Sequence, residues 1–199
     1  MSEAPPLVLA SQSPRRAELI GRLGLEFEIR PADIDESYRG HEMPADHAER
    51  LAREKALAAA HGRPDALVIG SDTIVVLDDD VLGKPADERQ AVAMLQRLSG
   101  REHQVFSGIA VVRGERIESS IERVRVRFRV LSTRECEEYV ATGEPMDKAG
   151  AYGIQGYGAA LVDGIEGDYF AVMGLPISRM LELIRRFGWR YAFGSLRES

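Results

Sequence analysis

Leu7-Val8-Leu9-Ala10-Ser11-Gln12-Ser13-Pro14-Arg15-Arg16 runs from an unbroken apolar segment straight into the opening of a helix. A continuous apolar run is the signature of a strand buried on both faces, as in a parallel sheet. Ser13 suits an N-cap, and Pro14, lacking an N–H, suits the first helical position. A buried strand that turns at once into a helix is the opening unit of an α/β fold.

Outward from this unit the alternation continues. The first helix carries Leu19, Ile20 and Leu23 and stops at Gly24. Leu25 to Arg30 alternates apolar and charged residues, which predicts a half-buried strand, and 31–43 is a polar loop. Pro44 starts a helix to about His61. Ala66 to Gly70 reads as a second buried strand, and after Ser71-Asp72 comes another apolar run, Thr73 to Leu77. Asp78-Asp79-Asp80 predicts a turn, and a helix follows from about Ala86 to Leu98. Strands are expected at about Gln104–Val112 and Arg116–Val130, the latter with Val124, Val126, Phe128 and Val130 on one face and Arg123, Arg125, Arg127 and Arg129 on the other. Ser132 to Glu135 forms a capping box for a helix to about Ala141. A glycine-rich stretch, 143–158, precedes a short strand at Ala159–Val162, and Pro176 opens a last helix with Ile177, Met180, Leu181 and Ile184 inward. Strands alternate with helices and then pair with one another, so the expected class is α/β with a central mixed β-sheet flanked by helices. Its 199 residues fit a single domain or two closely packed lobes.

The composition narrows the function. A net charge of −6 argues against a general nucleic-acid binder, and no apolar run is long enough to span a bilayer. The lead Met1-Ser2-Glu3-Ala4-Pro5-Pro6 has neither the basic nor the apolar region of a signal peptide. A single cysteine, Cys136, fits a reducing compartment, and a cytoplasmic location is expected. An anionic ligand would have to be held by a local cluster of cations.

Candidate residues are those that break local rules. Helix first turns favour acidic side chains, yet Arg15 and Arg16 occupy this one; they are either a solvated pair or half of a phosphate site. Asp72 interrupts two apolar runs, so it either marks a turn or is a buried carboxylate that needs a cation. At the end of a central parallel strand it would lie where α/β ligand sites form. Lys55 shares the helix stripe of Ala48, Leu51, Ala52 and Ala59, as a snorkelling or an inward-aimed lysine. Lys84 sits in a rigid Gly-Lys-Pro turn. The loop pair Asp35-Glu36 could hold Mg²⁺ together with Asp72, because hard cations take a few carboxylates plus phosphate oxygens. Together these make a set suited to a metal-bound triphosphate.

Other features point elsewhere. Gly150 to Gly156 lacks dinucleotide-fingerprint spacing and does not join a first strand to its helix. His41, His47, His61 and His103 lack zinc spacing and are assigned to surface loops or helix ends. The arginine-striped strand reads as a solvated or partner-facing sheet face. Glu135 and Glu137 beside Cys136 would raise its pKa, which disfavours a nucleophile.

Leu9-Ala10-Ser11-Gln12-Ser13-Pro14-Arg15-Arg16, Ala52-Arg53-Glu54-Lys55-Ala56, Gly70-Ser71-Asp72-Thr73, Gly83-Lys84-Pro85, the segment from Asp147 to Gly156, and Gly174-Leu175-Pro176 together resemble the Maf family of nucleotide pyrophosphatases, over about 7–187. The resemblance implies an elongated, two-lobed α/β fold with a cleft, related to the inosine triphosphate pyrophosphatases, and a homodimer. Ser-Pro-Arg-Arg, Asp-Thr and Gly-Ile-Gln-Gly are similar to its dTTP/UTP-cleaving branch rather than its 7-methyl-GTP branch. It implies Asp72 as catalytic base, Arg15, Thr73 and Gln155 as base selectors, and Ser13, Arg16, Lys55 and Lys84 around the phosphates. Glu36 and Asp72 would hold a divalent metal, Mg²⁺ or Mn²⁺. A role in regulating cell division is also attached to the family.

Overall fold

The computed structural model describes residues 3–199, so Met1 and Ser2 of the polar lead lie outside the described residues. The elements run β1 (Leu7–Leu9), α1 (Pro14–Arg22), β2 (Glu28–Ile29), α2 (Pro44–Ala60), β3 (Leu67–Leu77), β4 (Asp80–Leu82), α3 (Glu88–Leu98), β5 (Glu102–Arg113), β6 (Arg116–Phe128) and α4 (Thr133–Val140). After 3-10 turns at Glu144–Asp147, Ala149–Ala151 and Gly156–Leu161 come β7 (Val162–Glu166), α5 (Tyr169–Met173), α6 (Ile177–Arg186), β8 (Trp189–Tyr191) and β9 (Leu196–Glu198). Among the described residues these form a seven-stranded sheet in the order β2-β1-β3-β5-β6-β7, with β4 paired to β3, and a separate β8-β9 hairpin. The sheet is mixed: β1 pairs parallel with β2 and β3, whereas β3–β4 and β6–β7 are antiparallel. This is the α/β fold with a central mixed sheet that the alternating pattern predicts.

Several expectations are corrected. Leu25–Arg30 gives only a two-residue strand, and Ile29 is 52% exposed, because β2 is an edge strand with one partner and little to pack on. Ala159–Leu161 belongs to a 3-10 turn, and the strand begins instead at Val162 and runs to Glu166. In α6 the buried residues are Met180, Leu183 and Ile184, with Ile177 and Leu181 only half-buried. The terminal hairpin β8-β9 was not anticipated; it buries Trp189 and Leu196.

The chain separates into two compact units, residues 1–72, 107–122 and 174–199, and residues 73–106 and 123–173. In the first, an alanine-rich face of α2 (Ala52, Ala56, Ala59) packs with Val8, Val68, Ala110 and Val112. Small side chains let the helix approach the sheet at backbone distance. A Cβ at Gly70 would stand inside the contact radius of the Ala52 carbonyl oxygen and 2.7 Å from the Ala56 nitrogen, and one at Gly108 would lie 2.8 Å from the Glu49 nitrogen. Gly70→Ala is therefore expected to destabilise the protein by about 3 kcal/mol, since backbone must move to admit the methyl. A thermal melt should fall by roughly 6–12 °C for a chain of this size; an unchanged melt would mean that the contact is not this close.

The second unit centres on Val75, Leu77, Leu95, Val126, Phe128, Cys136 and Tyr152. The capping box of α4 forms as expected, with Ser132 Oγ accepting from the Glu135 N–H and the Glu135 carboxylate accepting from the Ser132 N–H. Two β6 arginines are paired on their exposed face, Arg125 with Glu166 and Arg127 with Asp163 at 2.7 Å, and Arg129, just past the end of the strand, pairs with Glu135 at 2.7 Å. Cross-strand acids from β7 thus meet part of the stripe. His103, in β5, lies in neither a surface loop nor a helix end, and His47, in the first turn of α2, is at a helix end but buried. His103 is 2% exposed, bonded through Nε2 to Tyr152 Oη at 2.7 Å, and burial lowers its pKa to about 4, so it is neutral. His47 in the first unit is 3% exposed beneath the Tyr38 ring, 3.7 Å between centroids. Burial raises the Cys136 pKa more than its acidic neighbours do.

Candidate active site

The deciding observation concerns Asp72. No turn separates the two apolar runs: β3 is one continuous strand of 11 residues, and Asp72 stands in its middle, 8% exposed. It therefore does not end a strand. Its parallel partner β1 does stop at the Leu9–Ile69 register, so Asp72 projects just past the carboxyl end of β1. That is the position at which α/β sheets collect ligands.

The cation that such a carboxylate needs is Lys55. Its Nζ lies 2.7 Å from Asp72 Oδ1 and 2.7 Å from Glu36 Oε1. Lys55 is 8% exposed, so it is aimed inward rather than snorkelling. The close approach of α2 to Gly70 explains the reach, because it sets the helix against β3 two residues before Asp72. The two carboxylates differ in environment: the Asp72 side chain is 12% exposed and that of Glu36 59%.

The loop that carries Glu36 is tied down by α2. Arg50 donates to both Glu42 carboxylate oxygens, at 2.7 and 2.9 Å, and to the Ser37 carbonyl at 3.0 Å. The Arg50 hydrogen bonds hold the Glu42 carboxyl down at about 2. Tyr38, stacked on His47, has its phenol pKa raised, first by burial and then by the charges of Glu42 and Asp72.

Arg16 is the other fixed cation. Its Nε donates to the Gly174 carbonyl at 2.8 Å and its Nη1 to Ser11 Oγ at 3.1 Å. Ser71 Oγ lies 2.9 Å from the same Gly174 carbonyl and 2.8 Å from that of Gly108, its one proton shared between them, so strand β3 and helix α1 converge on one anchor. Burial lowers the Arg16 pKa, against the raising charge of Asp72, and Arg15 adds to the lowering. An arginine held in this way remains charged at any working pH and is costly to leave without an anion nearby. Arg15 is half-buried in the same first turn, which contains no acidic residue.

Ser13 occupies the N-cap position, but its side chain makes no capping bond; instead its N–H donates to Ser11 Oγ at 3.1 Å. Ser11, overlooked in the sequence, thus supports both the helix start and Arg16. Its only signal was a second hydroxyl two residues before Ser13. Ser71 and Gly174 were quoted within motifs without a role, because shared backbone anchors leave no periodicity to read.

Arg16, Glu36, Lys55 and Asp72 are brought together in the first unit. Thr73, Lys84 and Gln155 belong to the second: Thr73 follows Asp72 in β3, Lys84 is exposed in its turn, and Gln155 is half-buried. Among the described residues no group of three or more His, Cys, Asp or Glu is placed to hold a metal. The donor set of Glu36 and Asp72 still fits a hard cation that completes its shell with phosphate oxygens and water, the usual arrangement for Mg²⁺. Nor, among the described residues, is any helix long and apolar enough to cross a membrane.

This constellation can be set beside known proteins. The chain is 56% identical over 184 residues to a dTTP/UTP pyrophosphatase of Moorella thermoacetica, covering 92% of this chain and 95% of that protein. It is 51% identical to a dTTP/UTP pyrophosphatase of Symbiobacterium thermophilum, covering 92% and 94%, and 50% identical to one of Hahella chejuensis, covering 92% of each. Residues 6–187 match the family described as Maf-like protein. The motifs that surround Asp72, Lys55 and Arg16 all lie within that match, and the chain belongs to the Maf-like family.

Proposed function

We propose that this protein is a nucleoside triphosphate pyrophosphatase that hydrolyses dTTP and UTP to the monophosphate and pyrophosphate. The observation that carries the chemistry is the buried Asp72 carboxylate, held at 2.7 Å by Lys55 in the middle of β3. The substrate choice is supported by the relatives, whose shared name is dTTP/UTP pyrophosphatase, at 56%, 51% and 50% identity.

In this reading Asp72 orients a water molecule and takes its proton as the water attacks phosphorus. Lys55 occupies one lone-pair direction of Oδ1, and a carboxylate retains others for the water. Arg16, Lys55, Lys84 and the Ser13 region of α1 stabilise the charge that builds on the leaving pyrophosphate. Arg15, Thr73 and Gln155 select the base, assignments that rest on the motifs. The Gln155 amide offers both a donor and an acceptor, which complements the imide edge of uracil or thymine. A divalent cation bound by Glu36 and Asp72 with the triphosphate oxygens would neutralise phosphate charge and make bound water a better nucleophile. Homodimerisation and a cytoplasmic location complete the reading, the latter supported by a buried, unpaired Cys136.

The test is steady-state pyrophosphate release from dTTP, UTP, CTP, dATP and 7-methyl-GTP with Mg²⁺ or Mn²⁺. dTTP and UTP are expected to exceed the others in kcat/KM by about tenfold or more, with one pyrophosphate per monophosphate. A preference for 7-methyl-GTP, or orthophosphate as the product, would overturn it.

A further inference from the structure

The glycine-rich segment at Gly150–Gly158 has the backbone of an anion cradle, and the chain fills the cradle itself. The Glu144 carboxylate accepts from the Tyr157 N–H at 2.9 Å, the Gly158 N–H at 3.0 Å and Tyr139 Oη at 2.9 Å. Tyr139 Oη in turn accepts from the Gly153 N–H at 3.2 Å. One tyrosine–glutamate pair therefore grips the backbone on both sides of Gln155.

The glycines belong to this grip. Gly156 has φ +69°, and a Cβ there would stand 2.5 Å from Glu144 Oε2. A Cβ at Gly158 would lie 2.7 Å from Tyr139 Oη and collide with the Gly153 carbonyl, so the segment folds back on itself around the carboxylate. The charge is stabilised in place: burial opposes ionisation, but the bonds from Gly158, Tyr157 and Tyr139 and the charge of Lys148 together lower the Glu144 pKa. Lys148 Nζ also donates to the Glu144 backbone carbonyl. These groups all lie within the second unit.

We infer that Glu144, directly through the Tyr157 and Gly158 N–H groups and indirectly through Tyr139, is the positioning residue that sets the Gln155 amide for base selection. It touches no substrate; it fixes the turn whose apex presents Gln155. The inference rests on the proposed reading of Gln155 as the group that recognises the base. UTP and CTP share everything but that edge, since uracil offers an N–H and a carbonyl where cytosine offers a ring nitrogen and an amine. Their kcat/KM ratio therefore reports the amide's placement, whereas loss of general stability would lower both alike.

The experiment measures the UTP:CTP ratio for wild type, Glu144→Gln, Tyr139→Phe, Gln155→Ala and the double variant Glu144→Gln/Gln155→Ala, with thermal melts alongside. Glu144→Gln places an amide N–H against backbone N–H donors and removes the charge, and the ratio is expected to fall about tenfold, chiefly through KM for UTP. Tyr139→Phe should shift it the same way by less, and it carries the test should Glu144→Gln fail to fold. The double variant should discriminate no worse than Gln155→Ala alone, because both act through one group. A Gln155→Ala ratio that falls, with Glu144→Gln and Tyr139→Phe ratios that stay at the wild-type value, would overturn the positioning role alone. An unchanged ratio in Gln155→Ala would overturn the base-reading assignment and this inference with it.

Discussion

Asp72→Asn is expected to lower the rate of pyrophosphate release about a thousandfold while leaving the fold intact. Asparagine keeps the shape of aspartate but not its basicity, so the water loses its proton acceptor. The substitution also leaves Lys55 its second carboxylate, Glu36 Oε1 at 2.7 Å, so the buried ammonium is not stranded. Melting should change by only a few degrees, and nucleotide binding, measured by calorimetry without divalent metal, should persist or tighten as one negative charge is removed near the triphosphate. A rate within tenfold of wild type would remove Asp72 from the role of base.

Lys55→Met is expected to damage both stability and turnover. The variant strips the buried Asp72 carboxylate of the cation it touches at 2.7 Å. Removing one partner of a buried pair costs about 3–5 kcal/mol, and the lower end is expected here, because the Arg16 charge that already interacts with Asp72 offsets part of the loss. Turnover should fall about a hundredfold or more, since the developing charge on the leaving group loses a preorganised cation. The two effects separate in the double variant Lys55→Met/Asp72→Asn. It should be more stable than Lys55→Met, having no orphaned charge, yet remain inactive. If the double variant is the less stable of the two, the ion pair is not the source of the cost.

These expectations differ in how much of their basis was written in the chain. The turn at Asp78-Asp79-Asp80, the Ser132–Glu135 capping box and the opening strand–helix unit are local features, decided within a few residues by turn chemistry and capping. The capping box formed as read, whereas the turn narrowed to Asp78-Asp79 with Asp80 opening β4, and Ser13 took the N-cap position without a side-chain capping bond. The strand at Leu25–Arg30 had the right alternation but the wrong outcome, because alternation reports a face that wants burial, and only the neighbouring elements decide whether something covers it. His103 looked like a surface residue for the same reason: nothing local shows that Phe128 and Tyr152 will close around it at 5.1 and 5.3 Å.

The chemistry of the Asp72 region divides along the same line. By itself the sequence determined which residues were anomalous: two cations in a helix first turn, a lysine on an alanine stripe and a carboxylate between apolar runs. Each departs from a rule with a short range, so each was visible in a window of a few residues. It left open whether Asp72 ended a strand, whether Lys55 reached solvent, and what held Arg16. Only the tertiary structure decided these, because each answer is a contact across a long stretch of chain: Lys55 to Asp72, Arg16 to Gly174, and Gly70 against Ala52 and Ala56. The last of these governs the first. A glycine facing alanines brings α2 onto β3 at backbone distance, and at that distance a lysine that would otherwise extend to water meets the buried carboxylate.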